Sequence, residues 1–192
     1  MFGPSDALSI GPRVRVITAG KVGAGKGIER MTASPIDVMV SEVGPRDGLQ
    51  NIKRVMPTEA KIRWVTALAE AGLREIEVGS FVPPKLLPQM ADAEEVVRAA
   101  RKLRGLNVLA LAPNFKGAER AVAAGVTTIS MPVSASREHS FANLRKSPEE
   151  AVEDVRKVRE LCDSLPQGSH VGLEVGISTA FGCSLQGLVP ED

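Results

Sequence analysis

Glu42, Arg46, Asp47, Gln50 and Asn51 lie close together in the chain, separated by Gly44, Pro45 and Gly48. A carboxylate beside a guanidinium has a recognisable chemical use. Asp47 can ligate a hard divalent cation. Arg46 can hold a developing enolate oxygen through directional hydrogen bonds. Taken alone, an Arg-Asp pair in a glycine turn is ordinarily a surface salt bridge of little consequence. The elements around the cluster decide how much weight it carries.

Val38 to Val43, just before the cluster, reads as a strand. Thr58 to Gly72 reads as a helix with Ile62, Val65, Leu68 and Ala69 on one face, Thr58 as N-cap and Gly72 beyond its end. Strands are expected at Arg74–Gly79, Leu106–Ala112, Thr127–Val133 and His170–Ser178. Helices are expected at Asp92–Leu103, Phe115–Gly125 and Pro148–Leu165. Strand–helix alternation of this kind argues for parallel strands joined by crossover helices. Either an open doubly wound sheet or a barrel of eight units fits. In both, the C-terminal strand ends and the loops after them build the site, and the cluster follows the first strand.

Composition narrows the classes. The chain has 192 residues, 43% apolar and 24% charged, with a net charge of +1, so no basic field argues for nucleic acid. Aromatic residues make up 3% and Tyr is absent, which leaves no stacking platform for single strands. No apolar run is long enough to span a membrane, so no membrane partner is expected. Two cysteines, Cys162 and Cys183, make no disulfide framework and suit a reducing, cytoplasmic setting. Residues 1–35 are rich in Gly, Ser and Pro and read as a flexible extension, with Met31 a candidate start. Within them Gly20 to Gly27 nearly spells a phosphate-binding loop. Gly27 stands where Ser or Thr would hold Mg²⁺, and Pro35 breaks any following helix, so nucleotide binding is not expected there.

Four more loops sharpen the first. Arg46-Asp47-Gly48-Leu49-Gln50 resembles the signature of metal-dependent lyases and Claisen-type synthases on a TIM barrel. Gly79-Ser80-Phe81-Val82-Pro83-Pro84-Lys85 with Pro88-Gln89-Met90, then Ala112-Pro113-Asn114-Phe115-Lys116-Gly117, Ser134-Ala135-Ser136-Arg137-Glu138-His139-Ser140 and Ser178-Thr179-Ala180-Phe181-Gly182-Cys183, resemble the next four loops of the hydroxymethylglutaryl-CoA lyase family, in order. The resemblance covers residues 36–192. It implies a (β/α)8 barrel, here about the first five strands and four helices, after the 1–35 extension.

The resemblance also implies an activity: retro-Claisen cleavage of 3-hydroxy-3-methylglutaryl-CoA to acetyl-CoA and acetoacetate, a step of leucine degradation. By resemblance Asp47 ligates Mg²⁺ or Mn²⁺ and takes part in proton transfer. Arg46 stabilises the enolate, and Glu77 orients Arg46 or the metal shell. Gln50, Lys53, Ser80, Asn114 and Lys116 are the substrate-binding candidates. The partner is an acyl-CoA substrate, and the full-length family implies a homodimer. The family pattern adds a His-x-His pair, an Asn and a catalytic Cys in later strands and loops. This sequence reaches Asp192 before any of them, and His139 and His170 do not form that pair. His170 is expected on the wrong face and His139 in a loop that could touch substrate. Cys183, lacking a His partner, is expected to be a small packing residue. Two alternatives follow: a catalytically inactive half-barrel or interaction fragment, or a lyase for a related thioester such as citramalyl-CoA.

Overall fold

The computed structural model describes residues 38–166 and 168–190. The glycine-rich extension and its near phosphate loop lie outside the described residues. Among the described residues five strands and five α-helices follow in chain order: β1 (Ser41–Glu42), α1 (Thr58–Glu70), β2 (Glu75–Ser80), α2 (Ala93–Ala100), β3 (Asn107–Leu111), α3 (Phe115–Ala124), β4 (Thr128–Ser134), α4 (Arg137–Leu144), α5 (Pro148–Asp163) and β5 (Gly172–Ser178). All neighbouring strands are parallel, and the sheet runs β1-β2-β3-β4-β5 without a crossover in order. Sequential order and helical connections curl this sheet into a half-barrel, the first five-eighths of a TIM barrel.

The core lies between sheet and helices. Ile76, Val108, Ala110 and Ile129 from the strands pack with Val65, Val97, Ala118, Ala121 and Val158 from the helices. Small residues let α3 approach closely: Ala118 and Ala121 are fully buried. Ser147 starts α5 with a reciprocal cap, accepting from the Glu150 N–H while its own N–H donates to the Glu150 carboxylate. Gly125 ends α3 in the left-handed region at φ 95°.

Three expectations need correction. The strand read over Val38–Val43 pairs only through Ser41 and Glu42. Val38 and Val40 stay 78% and 60% exposed, because apolar alternation makes a strand only where a neighbour accepts its backbone bonds. Thr58 does not cap α1. Pro57 holds that position in an extended conformation, and the Thr58 hydroxyl donates instead to Asp92. The four expected helices become five. Ser136 caps α4 by accepting from the His139 N–H, inside a segment read as loop.

Candidate active site

The chain leaves β1 through a π-helical turn, Gly44–Gly48, closed by the Leu49 N–H on the Gly44 and Arg46 carbonyls. Such turns widen the backbone spiral and are frequent at functional sites. Gly44 permits it. A Cβ there would meet the Glu42 carboxylate at 2.8 Å and the Trp64 ring at 3.3 Å, while the Gly44 N–H donates to Glu42 Oε1 at 2.6 Å.

The turn aims Arg46 at β2. Arg46 Nε donates to Glu77 Oε2 at 2.7 Å, with Nη2 2.6 Å from the same oxygen in an ion pair, and Nη1 donates to Asp47 Oδ1 at 2.9 Å. Gln50 Nε2 reaches the same Asp47 oxygen at 2.8 Å. Of the five guanidinium N–H groups, these hydrogen bonds use two, on Nε and Nη1, and leave N–H groups on both Nη. The Arg46 side chain is 16% exposed and Glu77 4%, whereas Asp47 is 50% exposed at the mouth.

Glu77 reaches this position through a bulge. Pairing with β3 slips between Glu77 and Gly79. Val78 sits in the apolar cluster with Ala93 and Val97, and Gly79 also faces Ala93. Two successive residues thus turn to the helix layer, and Ser80 returns to the side of Glu77. Glu77 Oε1 and Ser80 Oγ are both buried with no hydrogen-bond partner. Burial pushes the Glu77 carboxyl above its ordinary 4.5, outweighing the bond and charge of Arg46 that pull it down.

The other candidates stand apart. Lys53 is exposed in the loop after the turn. Asn114 caps α3 through its Oδ1, which accepts from the Gly117 N–H at 2.9 Å. Asn114 and the exposed Lys116 line a cavity of about 240 Å³ with Phe81, Pro83, Pro84 and Arg120. His139 lies on α4 with Nδ1 2.7 Å from Ser134 Oγ. His170 is exposed before β5. Cys183 is buried. Ser136 Oγ donates to its sulfur at 3.1 Å, and this bond holds the thiol below its usual value.

No group of three or more His, Cys, Asp or Glu side chains converges on a cation position among the described residues. Asp47 offers one exposed carboxylate, far fewer than the six oxygens that Mg²⁺ prefers. These residues alone do not make a firm divalent site.

Parallel strands curled in sequential order, with an Arg-carboxylate cluster gathered on one side, make this a barrel-type α/β protein. Residues 37–188 match the HMGL-like family model, and the chain belongs to that family. It is 41% identical over 159 residues to mitochondrial hydroxymethylglutaryl-CoA lyase of Mus musculus, covering 83% of this chain and 48% of that protein. It is 38% identical over 173 residues to the cytoplasmic 3-hydroxy-3-methylglutaryl-CoA lyase of the same species, covering 89% and 49%. The hydroxymethylglutaryl-CoA lyase structure from Pseudomonas aeruginosa superposes with a TM-score of 0.72 at 41% identity, over 80% of this chain and 50% of that one. An HMG-CoA lyase from A. baumannii, solved with coenzyme A and 3-methylmalate, gives 0.72 at 35%, over 80% and 48%. The chain spans about half the length of the curated relatives it matches.

Proposed function

We propose that this chain carries the enolate-stabilising part of a 3-hydroxy-3-methylglutaryl-CoA lyase site, for retro-Claisen cleavage to acetyl-CoA and acetoacetate in leucine degradation. One observation supports it most: Arg46 is clamped by Glu77 and Asp47 with an N–H on each Nη not used by them. Negative charge grows on the thioester oxygen as the carbon–carbon bond breaks. A clamped guanidinium meets that charge without reorganising. In this reading Glu77 positions Arg46. Asp47 contributes to proton transfer and supplies one ligand to a divalent cation, Mg²⁺ or Mn²⁺, whose remaining ligands are not among the described residues. A bound cation would polarise the substrate oxygens. Gln50, Lys53, Ser80, Asn114 and Lys116 would hold the acyl-CoA. The cytoplasmic setting and a homodimer belong to the same proposal. Lyases named for either compartment are among the relatives.

A second reading has its own support. Asp47 alone is too few ligands, so the 192-residue chain is expected to bind acyl-CoA but release little acetyl-CoA. Titration with acetyl-CoA, and acetyl-CoA release from 3-hydroxy-3-methylglutaryl-CoA with and without Mn²⁺, check this. Turnover in the usual enzyme range, about 1–10³ s⁻¹, would sink the inactive half-barrel reading. Absence of both binding and turnover would sink the lyase reading. In a protein with the whole site, Arg46→Gln is expected to lower kcat about 10²–10³-fold with a far smaller rise in KM.

A further inference from the structure

Lys61 is 2% exposed, on the face of α1 that carries Val65 four residues on and Leu68 seven on. A lysine at a core position must find partners for its ammonium, because a lone buried charge is strongly unfavourable. Lys61 Nζ donates to Asp92 Oδ1 at 2.6 Å and to the Gln89 backbone carbonyl at 2.5 Å. The other Asp92 oxygen accepts from Thr58 at 2.8 Å. Asp92 stands at the N-cap of α2, where its side chain would ordinarily bind that helix's own N–H groups, and it makes no such bond. It is committed instead to α1.

The connection continues beyond Gln89. Gln89 Nε2 donates to the Ile52 carbonyl at 2.7 Å, although its Oε1 is then left buried and unpaired. Ile52 belongs to the loop between the Arg46 turn and α1. Residues 51–55 of that loop are all exposed, so apolar burial gives it little hold. The Gln89 amide is therefore a principal anchor on it. Replacing a buried ion pair with apolar side chains is often neutral or stabilising, so stability alone does not account for this one.

We infer that Lys61 is a positioning residue. Its ammonium locks the β2–α2 loop onto α1 and, through Gln89, onto the β1–α1 loop, so that the loops flanking Arg46, Asp47 and Glu77 hold one relative placement. That this placement serves acyl-CoA binding rests on the function proposed above; the lock itself does not. Hydrogen exchange on the full chain tests it, comparing the unsubstituted protein with Lys61→Met and Gln89→Leu. Lys61→Met is expected to speed exchange about tenfold in residues 50–57 and 84–91, while amides of β3, β4 and α3 stay protected. Gln89→Leu, which leaves the ion pair intact, is expected to speed residues 50–57 alone. Both variants are expected to weaken acetyl-CoA binding about tenfold while Arg46 and Glu77 remain in place. Unchanged loops in folded Lys61→Met, or a rise spread evenly through the core strands, would overturn the inference. If Lys61→Met does not fold, unchanged exchange at residues 50–57 in Gln89→Leu overturns it. Loosened loops in a chain that never binds acyl-CoA leave the lock standing and refute only the proposed function.

Discussion

Glu77 is held in two ways that oppose each other. Burial favours its protonated form, and Arg46 favours the carboxylate, with burial the larger effect. The folded pKa lies above the ordinary value, so the folded chain binds the proton more tightly than the unfolded chain. Glu77's contribution to stability is complete below about pH 4.5 and is lost as pH rises through the folded pKa. Glu77→Gln cannot ionise and lacks that loss. Its stability relative to the unsubstituted protein should climb as pH rises through this window and then level off. Urea unfolding midpoints for both proteins across the pH series measure it, and parallel curves would refute it. This geometry was only partly readable in the sequence. Arg46 and Asp47 are neighbours in a glycine turn, but nothing in the chain order shows that a bulge at Val78 aims Glu77 and Ser80 to the same side.

Among the elements, α3 packs closely against the loop after β2. A Cβ on Gly117 would stand 3.0 Å from the Phe81 carbonyl oxygen, a backbone atom that cannot swing away. Gly117→Ala must separate α3 from the β2–α2 loop. It is expected to cost about 1–3 kcal/mol, read as a lower urea midpoint, and to reshape the cavity beside Lys116. An unchanged midpoint would show that the loop yields freely. Elements with strong apolar patterning were legible in advance: β3 and α3 lie within a residue of their expected bounds, because buried parallel strands and their covering helices leave runs and faces in the sequence. The helix α4 left no such mark. Its Phe141 is half exposed, and a single serine cap starts it. The ion pair of Lys61 left one signal, a lysine in register with Val65 and Leu68, but a periodicity reading that counts only apolar residues passes over it.

At the scale of the sheet, β1 and β5 are its edges among the described residues, each with one neighbour. Apolar side chains stand exposed beside both: Val40 just before β1, and Val175 and Ile177 in β5, with Phe181 fully exposed just beyond. Open parallel edges of this kind template further pairing. The isolated chain is expected to self-associate at roughly micromolar to 100 μM concentration, as sedimentation velocity would show, and Ile177→Lys should weaken that association. A monomer across the whole range would contradict it. Trp64 has a consequence of another kind. The chain has one Trp and no Tyr, and the indole ring packs against Gly44, where the backbone turns toward Arg46. Its emission is therefore a built-in optical gauge of that turn. Any ligand that shifts the turn should change the colour or brightness of one fluorophore whose origin is unambiguous, with no label attached.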